Sequence, residues 1–526
     1  MTPSQPHTAV VIGAGVAGLA TAALLAREGL SVTVVERLDT VGGRAGDLTL
    51  DDHPGFRWDT GPSWYLMPEA FDHFFRLLGT TAEEQLDLVD LAPAYRVFPE
   101  GQELIDVPQG REAVISLFES IEPGAGAALE RYLDSAADAY EISLDRFLYT
   151  TFSAISPLVH RDVRARARQL ATLLSTSLQK FVNKRFRDVR LRQILTYPAV
   201  FLSSRPESTP ALYHLMSHTD LVQGVKYPVG GFTSVVDALH RLAVEEGVDF
   251  ELETDVTAIT TSGKRATGVR VRNARGEIRE IPADLVVSGA DLHHTENELL
   301  PAQLRTYPEK YFAGRDPGIG TVLVMLGVQG RLPQLRHHNL LFSNDWAVDF
   351  AAVFDGPQPE RPEGASQSIY VSMPSATDPG VAPPEHENLF ILVPVPASES
   401  VGHGDLFGEG SVSVDAIADA AVDQLAEWAD IPDLPERIVV RRTVGPADFA
   451  ERYHAWRAGS IGPAHTLKQS AFLRGSNVSG KVDGLYYAGA TTLPGVGVPM
   501  CLISAENVLK RLRGDSSPGA LPEAGR

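Results

Sequence analysis

The sequence predicts an α/β fold in which one parallel sheet is gathered from separated pieces of the chain. Three observations predict it. From Thr8 to Arg37 an apolar run (Ala9 to Ile12), a glycine turn, an alanine-rich helical stretch, Gly29 as a stop and a second apolar run (Val32 to Val35) read as one βαβ unit. Asp249 to Ile259 alternates, and with Gly268 to Arg272 it forms a small meander leading to a strand-like run, Leu285 to Ser288. A last run, Leu485 to Ala488, ends in a glycine turn before a helix that begins near Pro499. Between these pieces lie a mostly helical stretch, Ala113 to Leu202, and a region in which strand-like runs (Thr321 to Val328, Leu389 to Val395) alternate with proline-rich loops. A Rossmann-like domain assembled from discontinuous segments is therefore expected over 1–95, 226–305 and 476–513. A helical layer is expected over 96–225, a mixed α+β domain over 306–475 and a disordered tail over 514–526.

Composition narrows the function classes. The 526 residues carry a formal charge of −21, which sets the chain against a polyanionic partner and excludes a nucleic-acid-binding role for its surface at large. The single cysteine, Cys501, rules out an intramolecular disulfide framework, a cysteine-rich zinc site and an iron–sulfur cluster, and no metal site is expected. The start, Met1 to His7, reads as no export signal. The apolar run Leu19 to Ala26 is broken by Arg27, Glu28 and Gly29, far short of the roughly 20 residues of a membrane span. The expectation is a cytoplasmic protein that meets a membrane only peripherally.

Gly13-Ala14-Gly15-Val16-Ala17-Gly18 is a G-x-G-x-x-G between a strand and a helix, the context in which the pattern binds a dinucleotide. Gly13 permits the turn, Gly15 lets the backbone approach a pyrophosphate, and Gly18 lets the helix lie close to the strand. The helix N-terminus adds free N–H groups and a positive dipole end. Alone, the hexapeptide reads equally well as a turn without a ligand; Glu36, placed 18 residues on to accept from ribose hydroxyls, tips the reading toward a nucleotide without a 2′-phosphate. Arg37 could be read as an arginine selecting a 2′-phosphate, but it is expected against the adenine or in solvent. Downstream, Gly42-Gly43-Arg44 and Gly61-Pro62 supply a second approach to the pyrophosphate, with Arg44 as a fixed positive charge. A nicotinamide dehydrogenase has no need of that second clamp; a tightly held flavin does.

These residues resemble the flavin amine oxidase and carotenoid desaturase superfamily. The segment Gly484 to Met500, GLYYAGATTLPGVGVPM, is similar to the closing motif of its bacterial-type phytoene desaturases, and the resemblance runs from Thr8 to about Leu512. It implies FAD as cofactor, with Gly489, Ala490, Gly497, Val498, Pro499 and Met500 around the flavin and the backbone of Val256 at the adenine. It also implies removal of hydride and proton from adjacent carbons of a long polyene, with the flavin carrying the chemistry. Phytoene, a shorter diapo-analogue and a later carotenoid intermediate all stay open as substrate. Asp145 and Arg146 are the candidate catalytic pair, with an ordinary helix-surface ion pair as their alternative. Asp291 reads as a capping acid, Cys501 as a core residue, and Tyr453, Trp456 and His465 as substrate-side residues whose default role is packing. Two other readings are kept. A flavin amine oxidase usually has glutamate after the last strand's Ala-Gly, where this chain has Ala490; a flavin-free prenyl-lipid carrier of the dissociation-inhibitor type has no use for intact phosphate-binding glycines. With no second G-x-G-x-x-G for a nicotinamide, oxygen or a membrane quinone is the expected electron acceptor. From Arg161 to Arg192 ten Lys or Arg stand against Asp162 and Asp188, with Leu170, Leu173, Leu174, Leu178 and Phe181 between them. This reads as a basic, apolar-faced stretch for an anionic membrane, or as a charged outer helix.

Overall fold

Five strands, all parallel, make the sheet that positions the site. The computed structural model describes residues 6–154, 160–361 and 363–523. Across the sheet the order is Leu485–Tyr487, Leu285–Ser288, Thr8–Ile12, Ser31–Val35 and Asp249–Glu251, with Ala9 opposite Leu285 on one side and opposite Val32 on the other. Val10, Val11, Val34, Val286 and Val287 are all at most 1% exposed, as expected of a parallel sheet covered on both faces. The helix Val16–Arg27 is buried along almost its whole length. Its small alanine side chains let two further helices, Phe232–Glu245 and Val498–Arg513, pack against it. Gly29, at φ +90°, ends it.

The second sheet has seven strands, in the order Ile438–Val444, Ile319–Gln329, His386–Pro396, Ile369–Ser372, His338–Phe342, Tyr95–Pro99 and Ile105–Val107. Its two longest strands run antiparallel with Leu323 opposite Leu392. Alternation divides the faces: Val322, Val324, Ile391 and Val393 pack under the helix Val412–Trp428, while Leu323, Phe390 and Tyr370 face the helical layer.

Four features differ from expectation. The boundary placed at 95–96 falls inside the strand Tyr95–Pro99, which joins the second sheet beside His338–Phe342. The alternating run from Asp249 is two strands: Glu253, at φ +50°, breaks it, so that Asp249–Glu251 edges the parallel sheet and Thr254–Ser262 starts a separate three-stranded meander. The tail is packed as far as Glu523. Leu521 is 5% exposed, its N–H donates to Glu506 at 2.5 Å, and the Lys510 ammonium collects the carbonyls of Ser517 and Gly519 at 2.8 and 2.6 Å. Residues 524–526 lie outside the described residues.

The fourth difference concerns the basic stretch. Leu170, Leu173, Leu178 and Phe181 turn into the protein, and only Leu174 is exposed. Arg185 lies 3.6 Å over the Phe181 ring and donates to the Phe181 carbonyl, while Arg187, Arg190 and Arg166 pair with Glu122, Asp188 and Asp138. Apart from Leu174, these apolar residues of the short helices belong to the core and not to an exposed apolar face. Among the described residues no helix is long and apolar enough to cross a membrane.

Candidate functional site

A cavity of about 780 Å³ runs from the end of the parallel sheet into the space between the second sheet and the helical layer. At the sheet end it is lined by the two glycine turns. Gly13 has φ +90°, and a Cβ on Gly18 would stand 1.9 Å from the Gly13 carbonyl oxygen, so Gly18 is required for the helix to approach the strand. Gly18 sits behind the lining; Gly13 and Gly15 are part of it. Gly15 is the N-cap of Val16–Arg27 with no side-chain cap, which leaves the first N–H groups of that helix for another partner. The second turn crosses over the first: the Gly42 N–H donates to the Ala14 carbonyl at 2.9 Å, and Gly43 approaches Gly15.

The Glu36 carboxylate accepts from the N–H groups of Ala14 at 2.7 Å and Leu38 at 2.9 Å. Burial raises its pKa while these bonds oppose the rise. Arg37 lines the cavity, but its guanidinium is anchored on the carbonyls of Glu451 and Arg452 at 2.5 and 3.1 Å. Arg44 is held by the carbonyls of Ser460 and Ile461 at 3.0 and 3.2 Å, and Gly61 packs so tightly on it that a Cβ would meet the Arg44 oxygen at 2.1 Å. Gly42, Gly43, Gly61, Pro62 and Val256 line the same end. So do His294 and His454, stacked with ring centroids 3.8 Å apart and planes at 2°, a pair that no local sequence signal announces. Burial holds the His294 pKa at about 3, so its ring is neutral at pH 7.

Across the cavity Gly489, Ala490, Gly497, Val498, Pro499 and Met500 supply the opposite wall at the start of the helix Val498–Arg513. Two buried groups behind them fix this loop. Arg474, 5% exposed, donates to the carbonyls of Thr492, Ala490, Pro463 and Gln469 at 2.6 to 3.3 Å. His465 accepts from the Val496 N–H at Nε2, 3.2 Å, so its proton is on Nδ1 and donates to the Tyr213 hydroxyl at 2.8 Å, which in turn donates to Ser470. Burial keeps this imidazole far below its ordinary pKa and neutral. Neither role was read from the sequence, where His465 was expected on the substrate side with packing as its default role.

Beyond this region the lining is mostly apolar, with Phe147, Phe152, Leu170, Phe201 and Leu212 on the helical side and Leu323, Phe390 and Leu392 on the sheet, and with the hydroxyl groups of residues such as Tyr140 and Thr219 among them. The cavity reaches the surface at Leu174, Leu467, Phe472 and Leu473, which line it and are 39, 50, 62 and 43% exposed. Among the described residues the carboxylates that line it, Glu36, Asp255 and Asp291, are all at the end formed by the glycine turns. Asp291 caps the helix Leu292–Asn297 through the His293 N–H. Tyr453 lines the cavity; Trp456 packs on Phe312 outside it.

Asp145 and Arg146 are not brought together here. They lie on a short π-helical turn, Leu144–Leu148, where Asp145 is exposed, Arg146 pairs with Asp162 at 3.0 Å, and neither lines the cavity. Adjacent helical residues point apart, which is why an acid–base dipeptide does not make a dyad. Cys501 lines the cavity with its thiol pushed up to about 11 by burial, which leaves it protonated and a poor nucleophile.

The family model for flavin-containing amine oxidoreductases matches residues 16–511, from the start of the first helix through the second glycine turn and into the closing helix. The chain belongs to that family. A carotenoid 3,4-desaturase of Haloarcula japonica is 38% identical over 97% of this chain and 99% of the relative. A zeta-carotene-forming phytoene desaturase of Myxococcus xanthus is 35% identical over 97% and 94%. Within the family this flavin oxidoreductase therefore belongs to the carotenoid desaturase group, and its cofactor is FAD. A solved oxidoreductase from Methanosarcina mazei shares the fold, with TM-score 0.60 and 18% identity over 96% of this chain and all of that one.

The residues present fit that cofactor. A Cβ on Gly15 would meet the protein no nearer than 4.0 Å and its φ of −69° suits any residue, so this glycine leaves bare backbone facing the cavity where the protein's own packing does not demand it; Gly497, at φ +111°, is required by its own backbone and also leaves open space. That is the cradle a dinucleotide fills.

Proposed function

We propose that this FAD-dependent oxidoreductase introduces double bonds into a long acyclic polyene, with phytoene as the first substrate. One observation carries the reading: the nucleotide cradle continues into an apolar, aromatic-lined cavity with no carboxylate, among the described residues, beyond the nucleotide end. An amine substrate brings an ammonium that needs a counter-charge on burial, and that end of the cavity offers none. The desaturase activities of the relatives support the same reading. A later, already conjugated intermediate is the second reading, favoured by the 38% identical 3,4-desaturase.

In this proposal Gly13, Gly15 and the free N–H groups of the first helix would hold the pyrophosphate with Arg44 beside it. Glu36 would hold the ribose, and Val256 and the His294–His454 stack would flank the adenine. The start of Val498–Arg513 would face the ring system, its N–H groups and dipole favouring negative charge there. FAD, when bound, supplies a two-electron oxidation of the substrate. The apolar walls exclude water and align the chain, and no side-chain nucleophile is needed. Reoxidation by oxygen or a membrane quinone is proposed with it.

Anaerobic mixing with phytoene in liposomes is expected to bleach the oxidised flavin band, with acyclic carotenoids as a parallel arm, while primary amines leave it unchanged. Bleaching by an amine and not by any polyene overturns the reading.

The exposed apolar ring at the cavity mouth, with the exposed first part of the basic stretch beside it, is the proposed membrane contact in place of that stretch's buried apolar face. Leu467, Phe472 and Leu473 stand beside exposed Lys468, and Leu174 shares its pair of short helices with exposed Arg161, Arg164 and Arg168. Burying the exposed parts of Phe472 and Leu473 is worth about 1 kcal/mol each, and each cation adds about 1 kcal/mol near an anionic surface. The double variant Phe472→Glu/Leu473→Glu is therefore expected to float with anionic liposomes at least about tenfold more weakly, with its FAD content intact. Flotation equal to the parent's rejects this surface.

A further inference from the structure

Each new double bond leaves one proton behind in a cavity walled by apolar side chains, and that proton needs an acceptor with access to water. Tyr140, on the helix Ala125–Ser143, lines the cavity and is 4% exposed. Its hydroxyl donates to the Glu69 carboxylate, in the first turn of the helix Pro68–Leu77. Gln223 steadies the same carboxylate, its amide lying 3.4 and 3.5 Å from the two oxygens. Glu69 also lines a second pocket, together with Tyr65, Asp72 and Arg76 and with the exposed Glu83, Glu84 and Asp87. The hydrogen-bonded pair thus connects the two pockets, Tyr140 lining the cavity and Glu69 lining the second. No carboxylate that lines the cavity itself is placed to do this. Glu36 and Asp291 are tied to backbone N–H groups, and with Asp255 they belong to the nucleotide end.

Burial and the Glu69 charge hold the Tyr140 phenol far above its ordinary pKa, so it stays protonated and accepts a proton only by handing its own onward. His218, Tyr149, Tyr65 and Asp72 are the other titratable groups facing the pair. The His218 ring lies 5.2 Å from that of Tyr140 and is held below its usual pKa by burial.

We propose that Tyr140 and Glu69 form the proton exit of the desaturation. This rests on the polyene reading above. As the C–H bond at the substrate carbon breaks, its electron pair closes the new C=C bond and its proton goes to the Tyr140 oxygen. The Tyr140 hydroxyl proton passes in the same movement to Glu69, which becomes a neutral acid and releases the proton to water in the acidic pocket. The phenol is unchanged and carries no charge; the other hydrogen and two electrons are the share of the FAD oxidation. Tyr140 is the group that faces the substrate, and Glu69 acts through it as the positioning residue.

The test compares Tyr140→Phe, Glu69→Gln, Glu69→Asp and His218→Gln in FAD-loaded protein, following flavin bleaching by phytoene in liposomes, in H2O and in D2O. Bleaching in Tyr140→Phe and Glu69→Gln is expected to slow roughly 10- to 100-fold and to lose the parent's solvent isotope effect. Glu69→Asp is expected to recover part of the rate and of the isotope effect, and His218→Gln to keep both. A second readout needs neither cofactor nor turnover. In FAD-free protein the infrared carboxylate band isolated by subtracting Glu69→Gln is expected to shift in Tyr140→Phe, which removes one oxygen and keeps the fold. The proposal is overturned if that band stays put, if Glu69→Gln bleaches at the parent's rate with the parent's isotope effect, or if His218→Gln alone loses them. If the parent protein is bleached by no polyene, the substrate reading has failed and the proton exit falls with it.

Discussion

Gly15→Ala is expected to strip the protein of FAD while leaving the chain folded. Gly15 has φ −69° and ψ 174°, a conformation open to any residue, and an added methyl would meet only the Gly42 oxygen at 4.0 Å. The protein has room for it; a pyrophosphate drawn against that backbone does not. A loss of roughly 100-fold in FAD affinity, about 2.8 kcal/mol, is expected at unchanged denaturant stability. Gly18→Ala is the contrasting case. Its methyl would stand 1.9 Å from the Gly13 carbonyl oxygen, so helix and strand must separate, costing about 3 kcal/mol or more in stability with FAD lost as a by-product. Titration of FAD-free protein by flavin fluorescence, beside urea melts, separates the two effects. Unchanged FAD affinity in Gly15→Ala would falsify the placement of the pyrophosphate at this turn.

Arg474→Met is expected to be the most damaging change outside the nucleotide turns. Burial lowers the Arg474 pKa to about 10, so it is still charged at pH 7, and its guanidinium satisfies carbonyls on both sides of the closing loop. A methionine of similar reach fills the space but leaves those oxygens buried and unpaired. The expected cost is about 3–5 kcal/mol, read as a lower urea midpoint, together with faster FAD release because the Ala490 to Met500 wall loses its anchor. Arg474→Lys is expected to recover only a small part, since one ammonium cannot reach four separate carbonyls. A melt within about 1 kcal/mol of the parent rejects this account.

The parts of this molecule that local chemistry dictates were legible in the sequence. Glycines at fixed spacing after an apolar run, an acid at the end of the next strand, and the GLYYAG segment before Pro499 predict the strands and helices that meet at the cavity's nucleotide end. What was not legible depends on long-range packing. Tyr140 and Glu69 are 71 positions apart, and His294 and His454 stack across a still longer separation. The basic stretch misled because leucines at helical spacing look the same whether they face a core or a bilayer; only the fold reveals that Leu170 and Leu173 point inward. Asp145-Arg146 misled through adjacency, which on a helix separates side chains. The break at Glu253 had no signal, because a glutamate at positive φ leaves no mark on an alternating pattern.

The parallel sheet takes its outermost strand, Leu485–Tyr487, from a stretch made long after the other four, and the helix that follows covers the alanine-rich face of Val16–Arg27. On the ribosome the first βαβ unit therefore waits, with that face bare, while the helical layer and the second sheet are synthesised. Contacts of such long sequence separation form slowly, since the intervening loop must be closed before they give anything back. The wall that faces the Gly13–Gly18 turn does not exist until then, so with FAD held as proposed its capture would belong to the last stage of folding, and a chain interrupted before residue 485 would offer apolar surface to chaperones and proteases in place of a cofactor site.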